Sequence, residues 1–89
     1  MEFEWDEAKH LRNLRERRIG FDHGARIFEG ETVEWPDRRN DYGEVRIRAL
    51  GLVDGVELHV VYTRRGDIYR IISVRRANGK ERRRWHLRG

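Results

Sequence analysis

Arginine dominates the side chains of this sequence that could do chemistry, and its repertoire is narrow. It offers a planar fork of donors matched to phosphate or carboxylate oxygens, and it cannot serve as a base because it keeps its proton. The cations best placed for such work are Arg64, Arg75, Arg76 and Lys80, at predicted strand ends or beside a basic terminal helix, followed by Arg46 and Arg83. Groups able to move a proton are fewer: Glu81 and Tyr42 first, then His59. Trp85 lies four residues after Glu81, on the same helical face, where an aromatic ring can stack on a base. The charge is concentrated, since residues 75–89 hold seven Lys or Arg against one Glu, leaving residues 1–74 at −2 of a total of +4. A near-neutral body with a cationic end predicts a polyanion or an acidic protein as ligand.

Each of these residues also has a plainer reading. The basic block is equally a solvated charged tail. Glu81 follows Asn78 by three positions, the spacing of a capping box, so it reads first as a helix cap. Tyr42 anchors its loop through its hydroxyl. His59, between Leu58 and Val60, packs across strands. Trp85 packs its helix on the sheet, and Trp5 and Trp35 belong to the core or to a partner contact. Arg46, Arg48 and Arg70 occupy alternate strand positions and flank carboxylates such as Glu57.

The absence of cysteine rules out disulfides and thiolate metal sites and fits a reducing cytosol. The four histidines show no metal-ligand spacing, so neither metal nor other cofactor is expected. No apolar run approaches the roughly 18 residues of a membrane span, and the opening lacks the basic and apolar regions of a signal peptide. A soluble, cytoplasmic chain is the expectation.

The elements that must position these residues follow from periodicity. The alternation at residues 2–5 predicts a short first strand. Asp6 then caps a helix running to about Arg18 with Ala8, Leu11 and Leu14 as its apolar stripe. After Ile19-Gly20, Asp22 caps a second short helix that buries Ala25 and Phe28 and is closed by Gly30. A strand at 32–35 stops at Pro36, the only proline, and 36–43 is a loop. Strands at 45–53, 57–63 and 68–75 are joined by turns at Asp54-Gly55 and Arg65-Gly66-Asp67, which predicts an antiparallel meander. Asn78 to Glu81 starts the terminal helix, through about Leu87. Eighty-nine residues make one domain. The class is α+β: two layers, an antiparallel sheet with the first helices on one face, and a basic terminal helix.

Several segments, in order along nearly the whole chain, resemble the BrnT family of toxins. They are Phe3-Glu4-Trp5-Asp6 with Lys9 and Asn13; Phe21 with Ala25, Ile27 and Phe28; Asp37-Arg38; Tyr42-Gly43-Glu44 with Arg46; Gly51-Leu52; Val60 to Thr63 with Arg65; Arg70 to Ser73 with Arg75 and Ala77; and Glu81-Arg82-Arg83. One departure is visible: Arg17-Arg18-Ile19 stands where the family carries a Lys-His-Gly-Val-type junction. If that glycine serves a positive backbone angle, Arg18 must adopt it at a cost, or the turn differs.

The resemblance implies a RelE-like fold, messenger RNA endonuclease activity without metal, and a cognate antitoxin of the BrnA-like, ribbon-helix-helix kind. The antitoxin would reach operator DNA on the complex's behalf and form a hetero-oligomer with this chain. In that chemistry the ribose 2′-hydroxyl attacks the adjacent phosphorus and leaves a 2′,3′-cyclic phosphate. Arg64, Arg75, Glu81 and Tyr42 are then the catalytic candidates, and Arg46, Arg76, Lys80, Arg83 and Trp85 the RNA-binding ones. The alternative is a module that binds nucleic acid or antitoxin through the same basic face without catalysis.

Overall fold

The computed structural model describes residues 1–88. Its order is β1 (Glu2–Glu4), α1 (Glu7–Arg17), α2 (Phe21–Ala25) extended by a 3-10 turn (Arg26–Glu29), β2 (Val33–Pro36), β3 (Ile47–Val53), β4 (Val56–Arg65), β5 (Ile68–Arg76) and α3 (Gly79–His86). The strands form one sheet in the order β1-β5-β4-β3-β2. Strands β3 to β5 are the expected antiparallel meander, with tight turns at Asp54-Gly55 and around Gly66, and β2 extends it by pairing antiparallel with β3.

Two features depart from the expected two-layer antiparallel architecture. First, β1 lies parallel to β5, pairing Glu2 with Ile68 and Glu4 with Arg70, so the sheet is mixed. The helices carry the chain to the opposite edge of the sheet, and four antiparallel passes return it beside β1 in the same sense. Second, helices cover both faces. Alternation sends Ala49, Val53, Leu58, Val60 and Tyr62 to one side, where with Ile19, Phe21, Ile27, Ile71 and Val74 they form the larger core under α2. The opposite side holds Leu50, Ala77 and Trp85, flanked by Val33 and Trp35, and there α3 packs. Ile72 is an extra residue in β5 between the pairs Val61–Ser73 and Tyr62–Ile71, and this bulge keeps Ile71 and Val74 on the larger core despite their odd spacing. Close approach fixes the α2 side: a Cβ on Gly24 would fall 2.5 Å from Val74, and one on Gly51 2.7 Å from Ile27.

The first helix is bounded as expected and buried differently. The Asp6 side chain accepts from the Lys9 amide at 3.1 Å and starts it. Yet no residue of α1 is buried, and Leu11 and Leu14 of the expected apolar stripe are 52% and 45% exposed. Polar side chains hold it instead. Asn13 Nδ2 donates to the carbonyls of Ile19 and Val74 at 2.8 and 3.0 Å, and His10 Nδ1 accepts from the Phe21 amide at 2.9 Å. The second helix is capped by Gly20 rather than Asp22, because it begins two residues early at Phe21, and Gly30 closes the 3-10 turn.

Arg18 takes the left-handed backbone its position in the junction demands, φ 63° and ψ 23°, and its amide donates to Leu14 O at 3.0 Å. An L side chain there costs about 1–2 kcal/mol, which glycine avoids. Replacing Arg18 with glycine is therefore expected to stabilise the chain by about 0.5–1 kcal/mol after the added freedom of the unfolded chain is counted. A thermal melt reads this as a rise of several degrees, at about 4–8 °C per kcal/mol for a domain of this size. An unchanged or lower midpoint counts against the strain.

Candidate active site

On the α3 face of the sheet, one carboxylate gathers the nearest charged groups. The Asn78 side chain accepts from the Glu81 amide at 2.9 Å and the Asn78 amide donates to Glu81 Oε1 at 3.0 Å, which completes the capping box predicted from spacing. The same carboxylate receives Arg75 in a two-pronged contact, Nη1 to Oε1 at 2.7 Å and Nη2 to Oε2 at 2.9 Å. Arg48 adds Nη2 to Oε2 at 3.2 Å, while its Nε donates to His59 Nε2 at 3.0 Å. Arg75 and His59 are register partners on β5 and β4, and Arg48 lies on the same face of β3, so the strands bring all three under the first turn of α3.

The electrostatics follow from that closure. Burial alone would raise the proton affinity of Glu81, but the Arg75 hydrogen bonds and the Asn78 amide outweigh it and hold its pKa near 2. Burial, then the charge of Arg75, lowers His59 to about 4. With Nε2 accepting from Arg48, the ring proton of neutral His59 sits on Nδ1, a buried atom with no hydrogen-bond partner among the described residues.

A second cluster lies in the segment between β2 and β3. Asp37 is buried and accepts Nε and Nη2 of Arg39 at 2.8 and 2.7 Å, which, with lesser help from Tyr42, holds its carboxyl well below the usual range despite burial. The Tyr42 hydroxyl donates to Asp37 at 3.3 Å, and the Arg46 guanidinium lies 4.1 Å from the centre of the Tyr42 ring while pairing with Glu44 at 3.0 Å. This cluster adjoins the first: burial lowers the proton affinity of Arg48, and the charge of Arg39 lowers it further.

Trp35 of β2, the register partner of Arg48, stands between two hollows. One, of about 260 Å³, is lined by Trp35, Arg48, Asn78, Lys80, Glu81 and Arg84. The other, of about 400 Å³, is lined by Trp35, Pro36, Arg38, Arg39 and Arg48. Guanidinium groups cover the indole: Arg84 is 3.8 Å and Arg48 5.0 Å from the ring. Among the described residues, Arg38, Lys80 and Arg84 have no carboxylate within ion-pair distance. A hollow of about 420 Å³ near β1 and α2 is lined mainly by Met1, Phe3, Trp5, Ala25 and Phe28 and lies away from this charge.

The structure brings together only part of the predicted set. Arg75, Glu81 and Lys80 meet at the cleft, and Tyr42 and Arg46 stand at its far side through Asp37. Arg64 does not: it lies about 16 Å along β4 from His59 at strand rise, on the opposite face, over the Tyr69 ring at 4.8 Å. Arg76 points away from Arg75, as adjacent strand residues must, and donates to Arg17 O on the α1 side. Arg83 is exposed about 200° around α3 from Glu81. Trp85 is 3% exposed under Arg88 and packs with Leu50 and Ala77, so it offers no face to a base. Glu57 pairs with His86 rather than with the strand arginines. Sequence reasoning missed Arg39 and Arg84 and set Trp35 and Arg48 among structural residues. The i,i+4 spacing of Lys80 and Arg84, and the cross-strand position of Arg48, were the available signals.

As a chemical device, this cleft is a row of donors suited to an anionic backbone, with Arg39, Arg48 and Arg75 fixed by carboxylates and Arg38, Lys80 and Arg84 without one among the described residues. Among the described residues, no group of His, Cys, Asp or Glu is arranged to hold a metal ion, and no helix is long and apolar enough to cross a membrane. A family model described as ribonuclease toxin, BrnT, of type II toxin-antitoxin system matches residues 5–81, which takes in the cleft residues named above except Arg84. No curated protein matches the chain.

Proposed function

Since the chain belongs to the BrnT family of ribonuclease toxins of type II toxin-antitoxin systems, we propose that the cleft between Trp35 and α3 is where it binds and cuts messenger RNA, without a metal ion. The observation that carries this reading is the convergence of Arg38, Arg39, Arg48, Lys80 and Arg84 on one side of the sheet, with Arg38, Lys80 and Arg84 free of carboxylate partners among the described residues. Membership implies a cognate antitoxin partner. A BrnA-like, ribbon-helix-helix antitoxin covering this face in the cytoplasm accounts for inhibition.

In the proposed reaction the 2′-hydroxyl oxygen attacks phosphorus in line and the 5′-oxygen leaves, with the charge on the phosphate oxygens met by Arg48, Arg75 and Lys80. Glu81 begins as the anion that orients Arg48 and Arg75. A phosphate that draws one of them away raises the proton affinity of Glu81, which then takes the 2′ proton. The leaving oxygen gains its proton from Tyr42 or Lys80.

The purified chain in excess chelator is expected to cut single-stranded RNA into products ending in 2′,3′-cyclic phosphate, and its induction to arrest growth unless the antitoxin is co-expressed. Salt-sensitive binding with intact RNA would instead favour the binding-only alternative, for which the closed hydrogen-bonding of Glu81 is the supporting observation.

A further inference from the structure

Trp35 is a partly buried indole on an edge strand, and it lines both hollows of the cationic cleft. Part of its ring packs against the Leu50, Ala77 and Trp85 cluster, and a cation covers it as well: Arg84 lies 3.8 Å from the ring centre, and among the described residues Arg84 has no carboxylate to hold it there. Arg48, at 5.0 Å, is by contrast fixed by Glu81 and His59. One of the two cations at the ring is therefore free to move, while the ring itself is held by β2–β3 pairing opposite Arg48.

A flat aromatic surface between rows of cations is the arrangement that holds a single strand, with phosphates on the cations and a base on the ring. Resting on the nuclease reading above, we propose that Trp35 is the platform on which one base of single-stranded RNA stacks, with Arg84 swinging from the ring to a phosphate. Trp35 then determines which phosphodiester lies over Arg48 and Glu81. It is a specificity-determining residue and takes no part in proton transfer. Duplex RNA, whose bases are stacked on each other, cannot use it.

The test uses the whole chain and a short 2′-O-methyl oligoribonucleotide, which has no 2′-hydroxyl to react, beside an oligomer of the same length with abasic sites. The parent is expected to bind the base-bearing oligomer about 5- to 150-fold more tightly, the span of 1–3 kcal/mol per stacked base. Trp35→Ala should bring that ratio close to one without weakening the abasic oligomer, and Trp35→Phe should restore part of it. Tryptophan emission provides a second measurement that needs no variant: base-bearing oligomer quenches it and abasic oligomer does not. Trp85 is buried and Trp5 lines the hollow near β1, so neither shares the cleft. Equal binding of the two oligomers by the parent, or a ratio that survives Trp35→Ala, overturns the platform while leaving the nuclease reading intact, and frees the ring for a protein partner. Failure to bind either oligomer overturns both.

Discussion

Glu81→Ala is expected to lose about 3–5 kcal/mol of folding stability, the usual cost of breaking a buried ion pair from one side. For a domain with 5–15 kcal/mol in all, and a chain this short at the low end, that leaves a large unfolded fraction at room temperature. Three losses coincide. Arg75 and Arg48, with side chains 24% and 19% exposed, keep their charge and lose their anion. Removal of the carboxylate also abolishes half of the capping box. Finally, His59 is left beside two guanidinium groups with no compensating charge. Glu81→Gln keeps the shape and one acceptor and should fall between the two. Urea denaturation monitored by circular dichroism measures all three proteins, and an alanine variant within about 1 kcal/mol of the parent would sink the role assigned to this network.

The same network sets the acid limit of the fold. His59 and Glu81 both have proton affinities lowered by folding, to about 4 and about 2 from ordinary values of 6.5 and 4.5. The unfolded chain therefore binds more protons than the native one as the pH falls. Their contribution is complete above pH 6.5, declines through the His59 range down to about 4, and continues to fall toward pH 2 as Glu81 protonates. Asp37 adds to the lower part of that window.

The second large effect concerns activity rather than stability. Replacing Lys80 and Arg84 together with alanine is expected to slow RNA cleavage by about 10²–10³-fold, the loss seen when a preorganised charge contact is removed. Both side chains are exposed, so the melting temperature should move little. The salt dependence of binding changes as well: two fewer phosphate contacts on single-stranded RNA lower the slope of log K against log salt by about 1.4. Arg64→Ala, on the opposite face, is the control and should cut at nearly the parental rate. Full activity in the double variant together with loss in Arg64→Ala would move the active site to the other side of the sheet.

Local signals were the most legible in the sequence. Asp6 and Asn78 with Glu81 marked two helix starts because a cap is a contact over three residues. The meander was visible because its turns are short. The parallel pairing of β1 was not, since its partner lies some sixty residues away and nothing in Glu2 to Glu4 states which edge it will join. The burial of α1 is hidden for a related reason: Leu11 and Leu14 have helical spacing, yet Asn13 and His10, which make the attachments, carry no periodic signature. At the site, alternation should have separated Arg75 from Arg76. Reading the basic stretch as a block of charge obscured that they face opposite ways. Trp35 and Arg39 lie four residues apart, but Arg84 comes from the far end of the chain, and only the packing of α3 beside β2 brings it to their cleft.

The way α1 is fastened has a consequence for the lifetime of the molecule. A helix with no buried side chain, tied down by His10 and Asn13, can open as a unit at far less cost than the sheet beneath it. Opening presents Lys9, Arg12, Arg15, Arg17 and Arg18 as extended chain to any protease that cleaves after basic residues. Turnover of the protein is then governed by this one helix, and nicking can begin while the cleft on the far face is still assembled.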